Sequence, residues 1–168
     1  MADLLAPWQP VAGWVAAIAA LLHAVRLGGW QGYRSLRLPL VWCLHLAYTW
    51  IPLGFALKAV HLLAGDAWSG HWLHGLTIGA AAAMILAVMT RASLGHTGRP
   101  LDAAAPIATA YLLLSASALV RVLAPALPGA DYLWTVVLAG LLWLAAFALF
   151  LVVYTPILFR PRVDGRPG

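Results

Sequence analysis

The chain of 168 residues contains no glutamate and one cysteine, Cys43. A lone cysteine excludes an intrachain disulfide and a thiolate metal cluster. Charged residues make up only 9% of the sequence, against about 25% in an ordinary soluble domain. That shortage excludes a water-soluble globule, because too little polar surface exists to cover one. The net charge of +5 does not indicate a nucleic-acid partner. The arginines stand at the ends of apolar segments and form no separate basic domain, so they read as topology signals and contacts with anionic lipid. No internal repeat is present, and the alanine run 80–83 is the only biased stretch. The first apolar stretch has no basic leader and is as long as a spanning helix, so it is expected to be a retained helix and not a cleaved signal.

What the chain does have is apolar length. Hydrophobic residues account for 64% of it. Five runs meet the requirement of about 20 residues for a spanning helix. They are expected at about 8–27, 39–64, 72–90, 103–123 and 132–159, with Pro52 as a kink in the second and Pro106 in the first turn of the fourth. Short connections make successive helices antiparallel neighbours. The expected fold is therefore all-α: one polytopic membrane helical bundle of about five transmembrane helices.

Basic residues set the expected orientation. Arg26, Arg34, Arg37, Arg91, Arg99, Arg160, Arg162 and Arg166 fall on one face, while the other has Arg121 with Asp3, Asp66 and Asp131. An excess of arginine marks the cytoplasmic side. The N-terminus is then outside and the C-terminus cytoplasmic. Trp8, Trp68, Trp72, Tyr132 and Trp134 mark the outer boundary, and Trp30, Trp42 and Tyr154 the inner one.

Six histidines are many for so apolar a chain. A polar group in hydrocarbon is costly and usually has a partner. On this topology His61, His71 and His74 fall near the outer face, and His23, His45 and His96 near the inner face. His61 and His74 sit at similar depth on consecutive antiparallel helices. Their imidazoles can in principle clamp a haem iron or ligate copper; interfacial histidines equally often only bond to headgroups, water or a carbonyl. His71, His74 and Thr77 follow at a spacing of three and share a face, as do Lys58 and His61. Lys58 can snorkel toward a carboxylate. His45 and His61 are sixteen residues apart and point to nearly opposite sides of their helix.

The inner side carries the polar cassette RASLGHTGR, from Arg91 to Arg99. It is expected as a loop that presents His96, with Arg91 and Arg99 either holding anionic groups or merely anchoring the helix end. Gly75 and Gly79 form a small-xxx-small pair that admits a close helix neighbour. Trp50 and Trp143 are deep enough to line a cofactor pocket. Arg121 is expected to meet Asp66 or Asp131 as a surface ion pair of little weight.

The run HGLTIGAAAAMILAVMTRASLGHTGRPL, from His74 to Leu101, resembles the most characteristic stretch of the NnrS family. LHLAYTWIPLGFALKA, YLLLSASALVRVLA and GLLWLAAFALFLVVYTPIL with its RPRVDGRPG tail are similar to other parts of that family. The resemblance covers the chain from about residue 41 onward. It implies a multi-pass protein of the bacterial inner membrane, associated with haem and copper and acting in resistance to nitric oxide stress. His74, Arg91, His96 and Arg99 are the positions the motif carries over. His74 and His61 are the expected metal ligands, with His45, His96, Arg91 and Arg99 as further cofactor-binding candidates. Family members typically have about twelve spanning helices, so the chain is expected to correspond to their C-terminal part and to act as a homo-oligomer or with a partner subunit. Whether it turns over a substrate is left open. The competing reading is a truncated, non-catalytic module that packs against another membrane subunit through Gly75 and Gly79.

Overall fold

The computed structural model describes residues 8–165. Asp3 and Arg166, counted in the charge pattern above, lie outside them. Among the described residues the chain is all-helical, with five helices long and apolar enough to cross a membrane. They are α1 (Gln9–Gly29), α2 (Pro39–Ala64), α3 (Trp68–His96), α4 (Ala105–Leu123) and α5 (Tyr132–Leu158). At 1.5 Å per residue even the shortest spans roughly 28 Å.

Local chemistry fixes most helix ends. Pro10, Pro39 and Pro106 occupy the first or second helical position, where a missing N–H costs nothing. Asp131 caps α5 by accepting from the Trp134 amide at 3.0 Å. At Gly65 α2 ends in a left-handed conformation, φ +74°, that glycine adopts freely. Pro52 lies inside a continuous α2.

α3 departs most from expectation. It does not stop at Thr90 but continues through Arg91 to His96. Six of the nine cassette residues, Arg91 to His96, are therefore helix. A short 3-10 turn, Trp68–His71, opens α3, and a wide π segment, Gly75–Ala82, interrupts it. The indole of Trp50, on α2, lies against the two glycines of that segment. A Cβ at Gly75 would lie 3.4 Å from the ring, and one at Gly79 would overlap it. The small-xxx-small stripe thus receives a tryptophan of the same chain. Trp50 also donates from Nε1 to Ser115 on α4 at 3.3 Å.

α3 is central. It packs between α2 and α4, while α1 covers α2 and α5 covers α4. The main core joins Leu40, Cys43 and Ala47 of α2 to Leu86 and Leu94 of α3, Ile107 and Leu114 of α4, and Phe150 of α5. Outward faces are apolar too: Trp14, Leu21 and Leu22 on α1 are exposed, as a bilayer requires. Inside, buried hydroxyls are paired. Tyr111 meets Thr90 at 2.5 Å, and Ser117 donates to the Ala139 carbonyl at 2.8 Å.

Candidate functional site

At one end of the bundle α3 and α4 are joined through a histidine. His71 and His74 share a face, as a spacing of three requires, and their rings stack with centroids 5.8 Å apart. Arg121, near the end of α4, donates from Nη2 to Nε2 of His74 at 2.8 Å. That bond requires a lone pair on Nε2, so the proton of a neutral His74 is on Nδ1. Arg121 is only 8% exposed, and its Cζ stands 5.4 Å from the centre of the Tyr132 ring. Its Nη1 has no hydrogen-bond partner among the described residues.

Arg121 was expected on the surface, paired with Asp66 or Asp131. It is instead buried against His74. Both carboxylate-bearing residues serve locally: Asp131 caps α5, and the Asp66 carbonyl accepts from Ser69 at 2.6 Å. One sequence signal did point to the buried position. Ser117 and Arg121 are four residues apart, so they form a polar line on one face of α4.

His61 does not join this cluster through any hydrogen bond or ring contact found among the described residues. Its Nδ1 lies 3.1 Å from the Asp66 carbonyl, and its ring rests against Gly70. Lys58 places its ammonium 4.7 Å from the centre of the Trp72 ring. The two other deep histidines are at the far end. His23 bonds the Tyr48 hydroxyl at 2.6 Å. His45 bonds the Val41 carbonyl through Nδ1 at 3.0 Å and meets the edge of Trp30.

The cassette forms a second site. Arg91 and His96 line one open groove of about 430 Å³ with Val88, Ala92, Gly95 and Leu101. A side chain built at Gly95 would meet nothing within 4 Å, so the groove floor is free space. Arg99 does not line it; its Nη1 reaches only the Thr97 carbonyl at 3.4 Å. From behind, the C-terminal tail holds the cassette. Arg162 donates to the His96 carbonyl at 2.7 Å and grips Asp164 with two bonds of 2.9 and 2.6 Å. The carboxylate bonded to Arg162 raises the guanidinium pKa further. Val163 N–H bonds the Thr97 carbonyl at 3.2 Å. Gly98, at φ +71°, lies directly under the Asp164 carboxylate, where a Cβ would come within 2.7 Å.

The cassette and the tail, two stretches that carry the resemblance, thus fold onto each other. A family model described as NnrS protein matches residues 1–162. The chain belongs to the NnrS family. The match also takes in α1, which precedes the stretch that carries the resemblance. No curated protein and no solved structure matches the chain.

Haem and copper, the cofactors expected from the resemblance, fit these residues unequally. Haem needs an imidazole for iron, apolar walls and a cation for its carboxylates. The groove offers His96, then Val88 and Leu101, then Arg91. Copper needs several converging donors. No group of three or more His, Cys, Asp or Glu side chains gathers among the described residues. His71 and His74 provide two imidazoles at most, and His74 is engaged by Arg121. A copper site completed within one copy therefore does not fit the described residues.

Proposed function

We propose that this NnrS-family chain is a multi-pass protein of the bacterial inner membrane that carries haem and acts in resistance to nitric oxide. Its C-terminus, with the arginine-rich cassette, is cytoplasmic. Family membership, with five helices able to cross a membrane, supports an NnrS-like membrane protein. The observation that carries the reading within this chain is the groove on the cassette, where one imidazole and one guanidinium flank an apolar cleft. His96 would provide the axial nitrogen and Arg91 would pair with a propionate. Haem held by one protein ligand supplies an iron position open to a diatomic gas. The protein's own part is to bind and orient: Arg162 fixes the carbonyl of His96 and thereby the end of α3. Copper, if carried, takes donors from a second copy or a partner subunit in addition to His71, His74 or His61.

The test is reconstitution of the full chain in detergent with haemin. A Soret band should form, shift on exposure to nitric oxide, and be lost in His96→Ala and weakened in Arg91→Gln. A band that survives His96→Ala unchanged overturns the assignment of the groove. Cells expressing the His96→Ala protein should grow as poorly under nitric oxide as cells that lack the chain.

A further inference from the structure

Beside the His74–Arg121 bond, α4 and α5 enclose a groove that the haem reading does not use. Arg121 and Ser117 line it from α4, and Ile78 from α3, around a volume of about 380 Å³. The α5 wall consists of Tyr132, Val136, Ala139, Gly140, Trp143 and Leu144. These residues follow the helical spacing of a single face. From Tyr132 to Leu144 that face runs roughly 18 Å along the helix at 1.5 Å per residue. Tyr132 begins α5 and Arg121 stands two residues before the end of α4. The groove thus starts at the end of the bundle, where a lipid headgroup lies, and extends inward along the hydrocarbon.

Two features select its occupant. Apart from Ser117 and Arg121 the walls are apolar or aromatic, and Ser117 already spends its proton on the Ala139 carbonyl. At the outer end, buried Arg121 keeps Nη1 without a partner, and no acidic side chain pairs with it among the described residues. An unpartnered guanidinium nitrogen in so dry a position is costly. An acceptor with negative charge and a long apolar body satisfies both halves at once. We propose that this groove holds one acyl chain of an anionic phospholipid, with the lipid phosphate drawn to the guanidinium of Arg121. Basic pockets between membrane helices recognise headgroups by the same chemistry. Trp143 and Leu144, both partly or largely exposed, leave the side of the groove open for entry from the bilayer.

The full chain, stripped of lipid in detergent and titrated with phosphatidylglycerol, should retain one lipid in native mass spectrometry. Phosphatidylcholine should be held more weakly. Arg121→Gln should weaken retention of phosphatidylglycerol by about tenfold, the loss of one charge-assisted hydrogen bond, and Arg121→Lys by less. Gly140→Leu is the second arm. Nothing lies within 4 Å of a Cβ built there, so the leucine fills the groove without forcing the backbone and should prevent retention even if Arg121→Gln folds poorly. His74→Gln lies outside the groove and should bind at least as well as the parent. Equal retention by the parent and Gly140→Leu overturns the proposal. So does Arg121-dependent retention of oleate without phosphatidylglycerol, or no preference for the anionic over the zwitterionic lipid.

Discussion

Nη2 of Arg121 donates to Nε2 of His74 at 2.8 Å, and this bond ties α4 to α3 across 47 positions of sequence. It is a bond between a cation and a neutral imidazole in a dry place. Measured interhelical hydrogen bonds in membranes average about 0.6 kcal/mol and reach about 1.7. A double-mutant cycle of His74→Ala and Arg121→Met should give a coupling within that range, toward its upper end because the donor is charged. Reversible unfolding in mixed micelles measures it. Zero coupling would mean that the two side chains do not meet in the folded protein. His74→Ala alone should be the worse single change, because it leaves Nη1 and Nη2 both without a partner.

Trp50 and Gly79 make a second test. A Cβ at Gly79 would overlap the indole, and Trp50 is buried between α3 and Ser115 of α4. Overpacking of this kind costs about 1–3 kcal/mol. Gly79→Ala should therefore destabilise the chain by that amount in the parent and much less beside Trp50→Leu. Gly140→Ala is the control. It adds the same methyl to open space and should be neutral or slightly stabilising in thermal unfolding.

The five helices were legible because hydrocarbon leaves so little choice. Uninterrupted apolar runs of this length can satisfy their backbone only as helices. Residues three apart share a face, which is why the stacking of His71 on His74 could be read from spacing. What failed was where polarity was taken to end a helix. Arg91 was read as a boundary, but a helix can leave the membrane and continue in water. The stop signals were further on, in Gly98 and Pro100, where a positive φ and a missing N–H both oppose helix. Arg121 failed for another reason. Its position near the end of α4 suggested solvent, and nothing local reveals that α3 turns His74 toward it. A wide π segment begins one residue after His74, and it breaks the 3.6-residue phase on which any facing argument rests. The division of the histidines between the two ends came from counting along helices. Whether any of them holds a metal depends on convergence in space, which spacing alone does not contain.

Inside the core, Thr90 is a hub whose proton can be assigned. Its hydroxyl donates to the Ala87 carbonyl at 2.8 Å, so Tyr111 must donate to it at 2.5 Å. Tyr111→Phe takes a donor from Thr90 and a hydroxyl from beside the Cys43 thiol, but strands no strong donor, so it should cost about 0.5–1.5 kcal/mol. Thr90→Val leaves the Tyr111 hydroxyl buried without its acceptor. It should cost more, about 1–3 kcal/mol. Chemical unfolding of both variants gives the order. The reverse order would place the shared proton elsewhere.

Last, the tail and the cassette should act as one unit. Gly98 combines φ +71° with the Asp164 carboxylate directly above it. Any side chain there is strained in backbone and blocked in space, so Gly98→Ala should release the tail. Arg162→Ala should do the same by removing the bond to the His96 carbonyl and both bonds to Asp164. Released, the tail around residues 160–164 becomes accessible to a broad-specificity protease such as proteinase K, and cleavage there should speed up in both variants. Exposed ion pairs weaken with salt. Raising ionic strength should thus loosen the parent tail toward the variants while leaving Gly98→Ala little changed. If His96 serves the groove, both variants should also broaden a haem signal, because the carbonyl that anchors its backbone has lost its donor. Equal cleavage rates in the parent and in Gly98→Ala would show that the tail does not rest on the cassette.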